Sequence, residues 1–122
     1  MPKLGKILNL DKFHNRVKGH GDCYRIAANI LIDDMPEDAL LCHGTAIGRG
    51  VIEGIKHGHA WIELNGSALD FSNGLNVVMS IGRYYEIGKI SDVTKYKKVE
   101  ASINLLKYKH YGPWKDGLIR DD

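Results

Sequence analysis

The alternation of apolar and polar positions predicts one clear helix early in the chain, from about Asp22 to Ile32. Asp22 is a residue type that often caps a helix N-terminus. The apolar residues that follow recur at the spacing of a single buried stripe: Ile26, Ala27, Ile30 and Leu31. We therefore expect this helix to pack one face against the rest of the protein.

Later segments predict shorter elements and a second long helix. Pro36 suits a first helical position and favours a short helix that runs to Leu41. The stretches from Gly44 to Gly54 and from Gly82 to Ile90 are predicted to be strands. A second substantial helix is predicted over residues 97–110, where apolar residues appear at helical intervals: Val99, Ile103, Leu105 and Leu106.

A hairpin is the most informative prediction. Residues 59–64 and 67–72 flank Asn65-Gly66, the strongest short signal for a two-residue turn. With Leu64 opposite Ser67, alternation places one apolar set toward the core: Ala60, Ile62, Leu64, Leu69 and Phe71. The other face holds His59, Trp61, Glu63, Asp70 and Ser72. His59 and Asp70 are then diagonal neighbours, roughly 7 to 8 Å apart between backbones, which two side chains can bridge.

Composition fits one soluble domain spanning residues 1–122. The chain is 43% hydrophobic and 26% charged, and its length allows one hydrophobic core. The net charge of +2 is too small to argue for nucleic acid. No apolar run is long enough for a membrane span or a signal peptide, so the expected location is cytoplasmic. In a reducing cytosol the two cysteines are expected to be free thiols.

Cys23 stands at the start of the first predicted helix, where unpaired backbone amides and the helix dipole favour a thiolate. If that helix packs along the hairpin, Cys23 can meet His59, and Asp70 can fix the orientation of the imidazole. Each residue alone has a plainer interpretation as a core thiol, a strand histidine or a surface acid. Their shared placement favours a catalytic triad, whereas Glu63 is expected to be a solvated strand residue.

The strings Gly21-Asp22-Cys23-Tyr24, 59-HAWIEL-64 and 68-ALD-70 resemble the core of the transglutaminase-like superfamily, within the wider papain-like fold. The resemblance covers roughly residues 19–72. It implies an α+β fold with an N-terminal catalytic helix on a small antiparallel sheet, and a triad of Cys23, His59 and Asp70. It also implies acyl transfer through a thioester without a cofactor, on a peptide, protein or small amide substrate. We favour hydrolysis of an amide bond.

Further groups could contribute to such a site. The backbone N–H of Cys23 is one possible oxyanion donor, and a side chain just upstream could be the second: His14, Asn15 or His20. Trp61 is a candidate for contact with the substrate.

Two alternative functions remain open. One is a catalytically inactive papain-like module that binds or inhibits a partner. The other is a zinc site, for which the candidate ligands are suitable in type: Cys42, His43, His57 and His59. The adjacency of Cys42 and His43 is unusual for zinc ligands, so no metal is predicted for the favoured function.

Overall fold

The computed structural model describes residues 23–47, 54–72 and 76–114. These residues form three helices and five strands, which confirms the predicted α+β class. In these ranges no helix is both long enough and apolar enough to cross a membrane. The elements in chain order are α1 (Cys23–Asp34), β1 (Leu40–Ile47), β2 (Lys56–Leu64), β3 (Ser67–Asp70), β4 (Val77–Ser80), α2 (Ile81–Gly88), β5 (Ser91–Lys97) and α3 (Lys98–Tyr108).

The five strands form one antiparallel sheet in the order β4-β3-β2-β1-β5. Helix α1 packs on β1 and β2, and α3 packs on α1, β1 and β5. Helix α2 packs on β3 and β4. Ala60 shares a buried cluster with α1, whereas the next residue, Trp61, shares one with Tyr84 of α2. Because successive strand residues point to opposite faces, helices cover both faces of the sheet.

The first helix forms where the sequence predicts it. Its predicted stripe is buried, and the helix continues two residues beyond the predicted end at Ile32, to Asp34. Cys23 is its first residue, so the helix N-terminus and the thiol lie together. Asp22, the predicted cap, lies outside the described residues.

The hairpin is also confirmed, including its register. Leu64 pairs with Ser67 and Ile62 with Leu69, as the alternation predicts. Asn65 and Gly66 both have positive φ, 53° and 81°, which is the conformation of a type I′ turn. The predicted apolar face lies in the main core with α1: Ala60, Ile62, Leu64, Leu69 and Phe71.

Two predictions between α1 and the hairpin are corrected by the structure. The expected helix from Pro36 to Leu41 is a turn at residues 37–38 followed directly by β1, which starts at Leu40. The expected strand from Gly44 to Gly54 overlaps β1 at residues 44–47, but β1 starts four residues earlier, and residues 48–53 lie outside the described residues. Pairing of Leu40 with both Glu63 and Lys97 explains the earlier start, because these partners hold both edges of the strand.

The prediction of a strand from Gly82 to Ile90 is wrong, because residues 81–88 form α2. The Ser80 hydroxyl accepts a hydrogen bond from the Arg83 backbone N–H at 3.4 Å, which starts the helix. The helix ends at Gly88, and the next residue, Lys89, caps it with a left-handed φ of 50°. Strands β4 and β5, on either side of α2, had no counterpart among the predicted elements.

The predicted C-terminal helix forms as α3, and the Lys97 backbone N–H donates to the Glu100 carboxylate at 2.8 Å at its start. Its buried face centres on Ala101 rather than on most of the predicted apolar stripe. Three large apolar residues of that stripe are exposed: Val99, Ile103 and Leu106. The intervals therefore indicate a helix correctly but identify its buried face incorrectly.

His43 of β1 is a buried histidine that lies among aromatic rings. It is 6% exposed, and neither ring nitrogen has a hydrogen-bond partner in the described residues. The rings of Tyr24, Tyr96 and Trp114 lie 4.8 to 5.2 Å from its ring centroid. Burial lowers the pKa of His43 to about 4, so folding favours the neutral imidazole.

We expect His43→Leu to reduce the loss of stability in acid. Above the unfolded pKa of about 6.5, His43 is neutral in both states and has no pH-dependent effect on stability. As the pH falls toward 4, the unfolded chain binds a proton that the buried ring does not, so the free energy of unfolding decreases. The wild type should lose about 2 kcal/mol more than the variant between pH 7 and pH 4.5. Urea unfolding at the two pH values measures this difference. Equal losses in the two proteins would contradict it.

Candidate active site

The two cysteines lie in different surroundings. Both are free thiols. Cys23 is at the start of α1 and is 9% exposed, beside a small pocket that Asp70 and Ser72 also line. Cys42 is fully buried in β1 against Trp61, and burial raises the pKa of its thiol. Of the two, Cys23 is therefore the thiol that a reagent or substrate can approach.

His59 and Asp70 form the hydrogen bond that the hairpin register predicts. The His59 Nε2 and Asp70 Oδ2 atoms are 2.8 Å apart. The other carboxylate oxygen, Oδ1, accepts from the Ser72 backbone N–H at 3.0 Å and from its hydroxyl at 2.7 Å. Burial alone would raise the pKa of Asp70, but its hydrogen bonds outweigh this and hold the pKa below its usual range. Asp70 is therefore a fixed, ionised partner for the imidazole.

Cys23 is the second group that acts on the imidazole of His59, because its thiol contributes to the raised pKa of that ring. Because Nε2 faces Asp70, Nδ1 is the ring nitrogen left for the thiol. Burial alone would lower the pKa of His59, but its interactions with Asp70 and Cys23 outweigh burial and raise the pKa to about 10. The structure thus brings together the three residues predicted as a triad, at the end of β3 and the start of α1.

Trp61 is fully buried, and it is among the residues that line the small pocket beside Cys23. The indole stacks on the imidazole of His59, with ring centroids 6.0 Å apart and planes 25° from parallel. Gly44 makes this packing possible, because a Cβ there would lie 2.9 Å from the indole. The indole therefore packs beside the histidine, and contact of Trp61 with a substrate stays a prediction.

Glu63 is not the solvated strand residue that the sequence suggests. It is 3% exposed. Its Oε2 accepts from the Trp61 indole N–H at 3.0 Å and from the Tyr85 hydroxyl at 2.6 Å, and its Oε1 pairs with Lys95 at 2.8 Å. Burial alone would raise the pKa of Glu63, but these hydrogen bonds outweigh burial and lower it. The buried carboxylate therefore fixes the edge of the indole that packs on His59.

Tyr84 of α2 is a site residue that the sequence reasoning missed. Its hydroxyl donates to Asp70 Oδ2 at 2.6 Å and lies 3.1 Å from His59 Nε2. The incorrect strand prediction for residues 82–90 hid it, since a strand gives no reason to place Tyr84 over the hairpin. The Ser80 cap was the sequence signal that could have indicated a helix here.

The predicted oxyanion side chains, His14, Asn15 and His20, all lie outside the described residues. The backbone N–H of Cys23, the other predicted donor, is at the N-terminal end of α1, where helix geometry leaves amides without intrahelical partners. This end of the helix can therefore supply a donor beside the thiol.

The four residues of the zinc hypothesis are not brought together. Cys42 and His43 are successive residues of β1 and belong to opposite faces: Cys42 packs on Trp61, whereas His43 packs on Trp114. Across the three described ranges, no three histidine, cysteine or acidic residues are close enough to share a metal ion. The geometry therefore favours the triad over that alternative.

No family model matches the chain, and comparison with curated proteins and solved structures gave no significant match. What remains is the chemistry of the site. A thiol beside an imidazole that is hydrogen-bonded to a carboxylate can supply a nucleophile, a group that exchanges a proton with it and a residue that orients the imidazole.

Proposed function

We propose that the protein is a cysteine-dependent acyl-transfer enzyme of the transglutaminase-like kind, and that its core is papain-like. The observation that carries this proposal is the imidazole of His59, which is hydrogen-bonded to Asp70 and whose pKa is raised by Asp70 and Cys23 together. A protonated His59 next to the thiol favours a thiolate, because the two opposite charges stabilise each other.

In the proposed mechanism, the Cys23 thiolate attacks the carbonyl carbon of an amide and a C–S bond forms. The carbonyl oxygen becomes an oxyanion, which the Cys23 backbone N–H stabilises. The His59 imidazolium then gives its Nδ1 proton to the amide nitrogen, the C–N bond breaks and an amine leaves. A thioester remains on Cys23, and Asp70 keeps the imidazole in position throughout.

The second half of the reaction returns the enzyme to its starting state. His59 removes a proton from water, and the resulting hydroxide attacks the thioester carbonyl. The C–S bond breaks, a carboxylic acid leaves, and the proton on His59 restores the ion pair with the Cys23 thiolate. No cofactor is needed, because bond making and breaking use only the thiol, the imidazole and water.

We propose a peptide, a protein or a small amide as the substrate, with water as the acceptor and the cytoplasm as the location. A reducing compartment suits the proposal because the nucleophile must be a free thiol. The small pocket beside Cys23 supports a site that admits the carbonyl carbon and little more of the substrate.

The test is the pH dependence of iodoacetamide labelling at Cys23, with Cys42 as the internal control, followed by peptide mass spectrometry on the native protein. We expect Cys23 to label rapidly well below pH 8, where an ordinary thiol is mostly protonated and slow. Buried Cys42 should stay unlabelled. If Cys23 is as inert as Cys42, the proposal fails, and the inactive binding or inhibitory module becomes the better interpretation.

A further inference from the structure

Tyr84 contacts both residues that stand behind the nucleophile. It lies on α2 and is buried in the cluster that contains Trp61. Its hydroxyl donates to Asp70 Oδ2 at 2.6 Å, and the same oxygen is 3.1 Å from His59 Nε2. Three polar atoms from three separate elements therefore meet at one point.

We propose that Tyr84 is a positioning residue that sets the tautomer of His59, so that Nε2 keeps its proton and Nδ1 exchanges one with Cys23. This inference rests on the proposed function, since it names how the same site prepares its base. A hydroxyl has one proton, and in the 2.6 Å hydrogen bond that proton points toward Asp70 Oδ2. Toward His59 the oxygen can then only accept, so Nε2 must be the protonated nitrogen.

The surroundings keep Tyr84 in the state that this role needs. Burial and the charge of Asp70 both raise the pKa of the Tyr84 hydroxyl, so it remains protonated and able to donate. In turn, its bond to Asp70 helps to keep that carboxylate ionised. Nε2–H then has two acceptors, the Asp70 carboxylate and the Tyr84 oxygen, which both stabilise the imidazolium.

The next residue, Tyr85, provides a matched control. Its hydroxyl donates to a buried carboxylate, Glu63, also at 2.6 Å, but no hydrogen bond joins it to His59 or Asp70 in the described residues. Replacing either tyrosine with phenylalanine removes one hydroxyl from the same helix and one bond to a buried carboxylate. A purely structural role would give the two variants the same behaviour.

The experiment compares the pH profile of Cys23 alkylation in the wild type, Tyr84→Phe and Tyr85→Phe, together with their urea unfolding midpoints. Both variants should show lower midpoints. Only Tyr84→Phe should shift the alkaline side of the profile, where His59 loses its proton beside the thiolate, downward by about one pH unit. The reason is that an imidazolium with one acceptor fewer is less stable and gives up its proton at a lower pH.

The outcomes separate this inference from the proposed function. A wild type with activated Cys23 and an unshifted Tyr84→Phe profile would overturn the role of Tyr84 and leave the function standing. A wild type with inert Cys23 would overturn both. If Tyr84→Phe does not fold, ¹⁵N NMR of His59 in the wild type above pH 10 decides: a neutral ring with the proton on Nε2 supports the inference, and a proton on Nδ1 overturns it.

Discussion

The His59→Ala variant should lose the activated thiol, with alkylation of Cys23 at pH 6.5 slowed about 100-fold. An ordinary cysteine with a pKa of about 8.5 is only about 1% thiolate at that pH, so removal of the ion-pair partner leaves roughly this fraction to react. The wild type keeps His59 charged across neutral pH, because its pKa is raised to about 10. Rates of iodoacetamide labelling, measured by mass spectrometry on native protein, give the ratio directly.

His57→Ala is the matched control for this prediction. His57 is two residues earlier on the same strand, and its ring centroid is 5.8 Å from that of His59. Its Nδ1 bonds the adjacent Gly58 carbonyl at 3.0 Å rather than the triad. Its loss should leave the labelling rate within about twofold of the wild type. If His59→Ala labels as fast as His57→Ala, the ion pair with Cys23 does not exist.

The sequence could predict those parts of the site that depend only on neighbouring residues along the chain. Asn65-Gly66 specifies a two-residue turn, and strict alternation then fixes the register of both strands without information from elsewhere in the chain. The approach of His59 to Asp70 follows from that register alone. Cys23 could be placed at a helix N-terminus for a similar reason, because the apolar stripe after it is local.

The second layer of the site could not be predicted, because α2 was mistaken for a strand. The segment is only 8 residues long, with glycines near both ends, so its helical period is weak. Its burial depends on the second face of the sheet, for which the sequence predicted no covering helix. Tyr84 and Tyr85 therefore had no expected partners, although each donates to a carboxylate of the hairpin.

The burial of Glu63 could not be predicted from the sequence either. A charged residue that alternates with apolar ones normally marks a solvated strand face. Here its partners come from later elements: Tyr85 from α2 and Lys95 from β5. Only the sheet order, which places β5 beside β1 and β1 beside β2, brings Lys95 close enough. A pattern read along the chain contains none of this.

This burial gives Glu63 the largest expected effect on stability. We expect Glu63→Ala to lower the free energy of unfolding by about 3 to 4 kcal/mol at pH 7, because Trp61, Tyr85 and Lys95 all lose their acceptor. Glu63→Gln should cost less, since the amide oxygen can still accept one or two of these bonds. Glu86→Ala, which removes an exposed carboxylate on α2, should stay within about 0.5 kcal/mol of the wild type.

The pH dependence distinguishes a lost carboxylate from a simple cavity. The pKa of Glu63 is lowered in the fold, so its ionised form contributes stability above the unfolded pKa of about 4.3, and that contribution is lost as pH falls below it. The difference between wild type and Glu63→Ala should therefore shrink between pH 7 and pH 3. Urea unfolding monitored by tryptophan fluorescence measures it at each pH. A difference that stays constant over this range would mean that Glu63 stabilises the fold through packing, and that its charge holds Trp61 no better than a neutral side chain of the same size.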